Sequence, residues 1–292
     1  MKESGPIVVR AKVLGYCFGV RRAVDMAVKA AAQYPRQPIY TYGPLIHNPQ
    51  ALDFLKDRGI TVLDDESPQA EPVRVQGAVV IIRAHGVPPE IRQRLEEQGA
   101  RIVDATCPRV VKSQKLAAQF SASGYTVIIA GDTDHGEVAG IAGFAPGCVI
   151  VENPGEAELL AKSARCPQKA ALIAQTTISQ GEYDAIALAL LPAIPDLRVC
   201  ATICPAATER QQALEELCGQ VDGVLVIGGR SSANTRRLLS TAQKRCALSA
   251  LIESPDEIPE RFFSLPRTGI TAGASTPDEI IEQTAARLSA GE

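Results

Sequence analysis

An α/β architecture built from three similar modules is expected of this chain, and three observations carry that expectation. Short runs rich in valine and isoleucine alternate with longer helical patterns, the order that gives parallel sheets. Several runs, such as Ala78-Val79-Val80-Ile81-Ile82, are apolar throughout, which suits strands covered on both faces. Loops that end strands also recur in three columns. Three strands run through a cysteine into a helix, at Cys17, Cys107 and Cys204. Counted from these cysteines, polar loops follow after 30, 28 and 28 residues at His47, His135 and Ser232. A further set follows after 68, 69 and 71 residues at His85, Thr176 and Ser275. The order of elements repeats, and the residue counted from within each loop is a matter of choice.

Strands are expected at 7–13, 38–42, 78–84, 101–106, 125–131, 170–175, 197–203, 223–228 and 269–274, each dense in β-branched or alanine residues. Helices are expected at 20–33, 88–98, 110–120, 208–218 and 234–244. Ala213, Leu214, Leu217 and Cys218 form one apolar stripe on the fourth of these. Ser179 with Glu182, and Thr276-Pro277 with Glu279, resemble capping boxes and mark two more helix starts. The modules then divide as 1–99, 100–193 and 194–292, the last carrying a C-terminal segment. Ligands of such folds lie beyond the carboxyl ends of the strands. Modules pointing those ends inward would each give one cysteine and two polar loops to a common pocket.

Composition narrows the functional classes. The 292 residues are 46% hydrophobic, normal for a globular protein, and carry a net charge of −3. Aromatics make up 4% and tryptophan is absent, so neither a basic face nor a stacking platform for nucleic acid is expected. No apolar run reaches the roughly 18 residues of a membrane span. The start lacks the pattern of a signal or transit peptide, so the cytosol is the expected compartment. There, eight cysteines point to metal or redox chemistry more than to disulfides.

Cys17, Cys107 and Cys204 lie far apart in sequence, unlike the ligands of a ferredoxin run or zinc ribbon. Three thiolates suit a cubane iron–sulfur cluster with one iron left open, and an open position makes a metal a Lewis acid. A place at a helix N-terminus favours the thiolate. Cys148, Cys166, Cys218 and Cys246 read as small core residues; Cys200, four residues before Cys204 on the same strand, could face the same side, and the core reading is favoured for it too. The 228–234 loop, with Ser231, Ser232 and Asn234, combines glycines, hydroxyls and a helix start, a generic anion site. The loop at Ser275 is of the same kind. Arg236 and Arg237 read as a solvated helix face. His47, His85 and His135 all fall in loops after strands, where imidazole can bind phosphate or relay protons. Glu137 is the best acid/base candidate, and Thr176 and Thr177 could orient a substrate hydroxyl.

Taken together, these motifs resemble the 4-hydroxy-3-methylbut-2-enyl diphosphate reductase (LytB) family. The matching stretches are Gly15-Tyr16-Cys17-Phe18-Gly19-Val20 with Arg22-Ala23, Gly43-Pro44-Leu45-Ile46-His47-Asn48, and Ala84-His85-Gly86-Val87. Next come Asp104-Ala105-Thr106-Cys107-Pro108, His135-Gly136-Glu137-Val138 with Gly140, and Gln175-Thr176-Thr177. Thr202-Ile203-Cys204 with Arg210-Gln211, the Ser232/Asn234 loop and 269–275 complete the series, in family order, from about residue 13 to 280. The resemblance implies three α/β modules around a central [4Fe–4S] cluster held by Cys17, Cys107 and Cys204, with the fourth iron open. It implies that His47, His85, Ser232, Asn234 and Ser275 bind the diphosphate, with His135 lining the pocket. Glu137 would deliver protons to the leaving hydroxyl, helped by Thr176 and His135. The products would be isopentenyl and dimethylallyl diphosphate, the last step of the non-mevalonate isoprenoid pathway. No flavin or nicotinamide fingerprint is evident, so a ferredoxin or flavodoxin is the expected electron donor.

The chain departs from the family in three places. Ala233 stands where a second serine is usual, so one hydroxyl donor is missing and Ser231 is the expected compensation. Gly136 replaces a frequent proline, which implies a looser loop. After Cys204 an Ala-Thr-Thr-like stretch reads Ala206-Ala207-Thr208. No RNA-binding extension is expected after residue 280. The rival reading is a non-catalytic cluster or zinc protein, such as an iron or oxygen sensor using the same three cysteines, which would need neither Glu137 nor the threonine pair nor the anion loop.

Overall fold

The computed structural model describes residues 6–46, 48–63 and 74–291. Among these residues twelve strands form three four-stranded, wholly parallel sheets. One sheet joins β1 (Ile7–Arg10) to β10 (Gly223–Ile227), β11 (Ser249–Ile252) and β12 (Arg267–Ala272). A second contains β2 (Ile39–Tyr42), β3 (Ile60–Leu63), β4 (Val79–Ile82) and β5 (Arg101–Asp104). The third contains β6 (Thr126–Ala130), β7 (Val149–Val151), β8 (Lys169–Ala174) and β9 (Asp196–Val199). The helices between them are α1 (Phe18–Gln33), α2 (Pro49–Lys56), α3 (Pro89–Glu97), α4 (Pro108–Ala122) and α5 (Gly136–Ala142). They continue with α6 (Pro154–Lys162), α7 (Gln180–Leu190), α8 (Pro205–Cys218), α9 (Ala233–Arg245) and α10 (Asp278–Ala290). No helix among the described residues is long and apolar enough to cross a membrane.

The three sheets share one strand order: second, first, third, fourth. The orders β3-β2-β4-β5 and β7-β6-β8-β9 follow the chain directly. In the sheet β11-β10-β12-β1 the fourth place is taken by the N-terminal strand, with Ile7 opposite Arg267 and Arg10 opposite Ile270. Sheet membership is therefore offset from divisions at 99 and 193. Residues 101–104 close the sheet of β2–β4, and 196–199 close that of β6–β8.

Hydrogen bonds repeat with the strands. Each first strand ends at a glycine whose N–H donates to the last carbonyl of the second strand: Gly43 to Leu63, Gly131 to Val151 and Gly228 to Ile252. The apolar runs face two cores each. In β6, Ile128 and Ala130 pack in one cluster while Val127 and Ile129 pack in another. In β10, Val224 and Val226 face one cluster, and Leu225 and Ile227 face the opposite one. Period-two alternation between two dry faces is what a run without polar residues requires.

The chain divides into two compact units. One contains Met1–Arg21, Ile46–Arg58 and Pro205–Glu292, and so the sheet of β1, β10, β11 and β12. The other contains Arg22–Leu45 and Gly59–Cys204, and so the remaining two sheets. Ser179 caps α7 as expected, its hydroxyl accepting the Glu182 N–H at 3.2 Å. Thr276 does not cap α10. That position belongs to Pro277, and the Thr276 hydroxyl turns inward to donate to the Ile227 carbonyl at 2.9 Å.

Candidate active site

The three singled-out cysteines occupy equivalent places. Each follows the fourth strand of its sheet and immediately precedes a helix, α1, α4 or α8. Each donates its N–H to the carbonyl two residues past the third strand: Cys17 to Ala274 at 3.1 Å, Cys107 to Ala84 at 2.9 Å and Cys204 to Thr176 at 2.9 Å. The residues after those carbonyls are Ser275, His85 and Thr177, so Thr177 rather than Thr176 is the structural counterpart of His85 and Ser275. All three thiols are half-buried and outside any disulfide. The Val20 N–H points at the Cys17 sulfur at 3.5 Å.

The other five cysteines sit in apolar packing. Cys218 and Cys246 belong to one cluster, Cys166 packs against a second, and Cys148 and Cys200 against a third. None of the described clusters includes Cys17, Cys107 or Cys204. Burial pushes the Cys148, Cys200 and Cys218 thiols up, away from thiolate. This matches the core reading of each, Cys200 included.

The unit that holds Cys107 and Cys204 also brings together the acid/base candidates. Glu137 lies in the first turn of α5 and is 2% exposed. Thr176, at the end of β8, donates its N–H to one carboxylate oxygen at 2.6 Å and its hydroxyl to the other at 2.9 Å. A threonine hydroxyl can accept as well as donate, so this contact serves both protonation states of the carboxyl group. His135 caps α5: its Nδ1 accepts the Glu137 N–H at 3.2 Å, which places the proton of the neutral ring on Nε2. The His85 ring meets His135 edge-to-face, with centroids 5.1 Å apart. Gln175 ties the next loop down. Its Oε1 accepts the Asp132 N–H at 2.8 Å and its Nε2 donates to the Thr177 hydroxyl at 3.0 Å.

Arg83 is a residue the sequence reading passed over. It is 8% exposed, and a Cβ on Gly136 would lie 2.6 Å from its Nη2. Gly136 therefore does not loosen the turn. It leaves room that the Arg83 guanidinium fills, one residue from Glu137. The visible signal was an arginine closing an otherwise apolar strand run.

The other unit holds the anion-loop candidates. Ser232 caps α9, its hydroxyl accepting the Thr235 N–H at 3.4 Å. Asn234 is 7% exposed, and its buried Nδ2 has no hydrogen-bond partner among the described residues. Thr235 fills the space between two glycine loops: a Cβ on Gly228 or Gly273 would lie 2.8 or 2.3 Å from its hydroxyl. That packing sets the loop of Ser232 beside the loop of Ser275, which is 6% exposed. Ala233 is buried between the two polar side chains, whereas Ser231 is exposed. Arg230 anchors the loop from outside. Its guanidinium bridges Glu253 and Glu257 at 2.6 Å each, and its N–H donates to Glu253 at 2.8 Å. His47 lies outside the described residues.

A family model described as LytB protein matches residues 8–289. The chain belongs to the LytB protein family. It is 49% identical over 290 residues to the 4-hydroxy-3-methylbut-2-enyl diphosphate reductase of Treponema denticola, covering 98% of this chain and 100% of that one. A LytB relative of the same name from Aquifex aeolicus is 35% identical over 286 residues, with 96% and 95% covered. Among solved structures, a Plasmodium falciparum E-1-hydroxy-2-methyl-but-2-enyl-4-diphosphate reductase superposes with a TM-score of 0.87 at 26% identity. It covers 97% of this chain and 87% of its own. A (E)-4-hydroxy-3-methyl-but-2-enyl diphosphate reductase, described as the terminal enzyme of the non-mevalonate pathway, gives 0.69 at 34% identity, with 97% and 99% covered. The LytB fold of three parallel modules is thus the one expected from the sequence.

Proposed function

We propose that this LytB chain is a cytosolic 4-hydroxy-3-methylbut-2-enyl diphosphate reductase. The observation that carries the reading is the threefold cysteine: one half-buried thiol after the fourth strand of every sheet, hydrogen-bonded the same way each time. That donor set, soft, thiol-only and kept apart from the apolar packing that holds the other cysteines, fits a [4Fe–4S] cluster with Cys17, Cys107 and Cys204 as ligands. When bound, the cluster supplies electrons and a Lewis-acidic open iron. The reaction breaks the allylic C–O bond, forms a C–H bond and releases water, taking up two electrons and two protons.

The chain's own residues do the rest. Glu137 holds the proton for the leaving hydroxyl, with Thr176 gripping both carboxyl oxygens. His85 and His135 place imidazole N–H groups toward substrate, and Thr177 adds a hydroxyl from the same loop. In the other unit the α9 N-terminus, Ser232, Asn234 and Ser275 bind the diphosphate, with Ser231 contributing and His47 given the same role by the family resemblance alone. A bound phosphate oxygen gives the buried Asn234 Nδ2 the acceptor it needs. Protonation of the allylic fragment at either end gives isopentenyl or dimethylallyl diphosphate. Electrons come from an external ferredoxin or flavodoxin.

Anaerobic turnover of 4-hydroxy-3-methylbut-2-enyl diphosphate with a reduced viologen dye tests the assignment, with Cys17→Ala as the blank. Substrate-dependent dye oxidation in the wild type alone is the expected result. A wild type with full iron content and no turnover would overturn it.

A further inference from the structure

Helix α4, which starts directly after Cys107, carries Arg109, Lys112 and Lys115 and no acidic residue along Pro108–Ala122. Of these only Arg109 lies in the first turn, where a cation opposes the helix dipole. The chain as a whole is slightly acidic, at −3, which makes a local run of three cations stand out. Arg22 of α1 adds a fourth charge, its Nη1 donating to the Thr106 carbonyl at 3.1 Å. Between them lies an open groove of about 570 Å³. Its floor includes Val111 and Leu116, its cations are Arg22, Lys112 and Lys115, and no carboxylate of the described residues lines it. Asp104, the nearest acid in sequence, is engaged by Arg92 at 3.2 Å.

We propose that this groove is the docking surface for a small acidic one-electron carrier protein of the ferredoxin class. The inference rests on the reductase reading above, in which Cys107 is a cluster ligand. A carrier seated in the groove lies along α4, the helix that begins at that ligand. The apolar floor with a charged rim is the anatomy of a protein interface. Lysines on flexible stems suit the salt-sensitive, quickly reversed encounters of redox partners better than the convergent donors a small anion needs. The lining has no aromatic ring, which disfavours single-stranded nucleic acid.

The test pairs Lys112→Glu/Lys115→Glu with a control of equal charge change on other helices, Lys162→Glu/Lys244→Glu. Lys112 also donates to the Ala201 carbonyl at 3.4 Å, so a thermal melt checks that the α4 pair folds as the wild type does. Calorimetric titration of each reconstituted protein with an oxidised acidic [2Fe–2S] ferredoxin is the primary readout. The α4 pair is expected to bind at least about tenfold more weakly than wild type and to lose most of the salt dependence, with the control within about twofold. Ferredoxin-driven turnover then shows a raised KM for the carrier, while viologen-driven turnover is unchanged. Equal affinity in wild type and α4 variant, or equal weakening by the control pair, would overturn the docking site. Short RNA that binds the groove and displaces no ferredoxin would also overturn it. Failure of the reductase reading is separate: it shows as a wild type with no viologen-driven turnover.

Discussion

At the scale of single residues, the Glu137 carboxyl is held by Thr176 at both oxygens and carries the sharpest expectation. Glu137→Gln keeps the shape and removes the titratable proton. It is expected to lower viologen-driven turnover by about 10²–10⁴-fold with iron content unchanged, the range of a positioned general acid. Thr176→Val retains the backbone N–H and loses one hydrogen bond, so a smaller loss of about tenfold is expected. The cysteines divide by the same logic of surroundings. Cys17→Ala, Cys107→Ala or Cys204→Ala is expected to lower iron per chain, measured by iron assay. Cys218→Ala, inside a buried cluster, leaves iron unchanged and costs about 1 kcal/mol in denaturant unfolding. Gly136→Ala forces its new methyl onto the Arg83 guanidinium beside Glu137, so turnover falls more than melting temperature does.

At the scale of elements, the α9 loop shows how an exposed ion network serves a buried site. Arg230 holds Glu253 and Glu257 together on the outer side of the loop that carries Ser232 and Asn234. Gln50 of α2 donates to the Glu253 carbonyl at 2.6 Å and ties that helix to the same edge. Arg230→Ala is expected to raise the substrate KM more than it lowers kcat, because binding donors lose their register while Glu137 is untouched. The pH signature follows from Glu257, whose carboxyl the Arg230 guanidinium holds below the usual range. A lowered folded-state value means the contact stabilises above the ordinary carboxylate range and is lost as pH falls through the lowered value. The stability gap between wild type and Arg230→Ala is therefore flat near neutrality and closes in acid. Both partners are largely exposed, so the gap is small and shrinks further with salt.

At the scale of the whole molecule, the N-terminal strand completes the sheet of the C-terminal third. Removing residues 1–10 strips the β1–β12 ladder and the half-buried Val8 and Val9, which pack against the two cores of that sheet. The expected cost is about 2 kcal/mol in chemical unfolding, with loss of iron because Cys17 loses the strand that leads to it. A truncated chain with wild-type stability and iron content would contradict this role for β1.

Much of the architecture was legible one segment at a time. Nine strands and five helices were expected near where they stand, because a short apolar run or a one-faced stripe writes its own secondary structure. The strands not foreseen are β3, β7 and β11, the equivalent edge strand of each sheet. They are three or four residues long and partly exposed, so their apolar runs are too short to stand out beside β4, β6, β8 and β10. Three cysteines at a repeated position, the His85, His135 and Glu137 loops and the Ser232–Asn234 turn were also visible, since each is a local motif at a strand end. Long-range packing decided the rest. That β1 pairs with β12, that Thr177 and not Thr176 corresponds to His85, and that Arg83 fills the room left by Gly136 all depend on which strands lie side by side. Local sequence sets the conformation of a strand. Its neighbours are chosen by the burial of two faces at once, and that choice exists only in the folded chain.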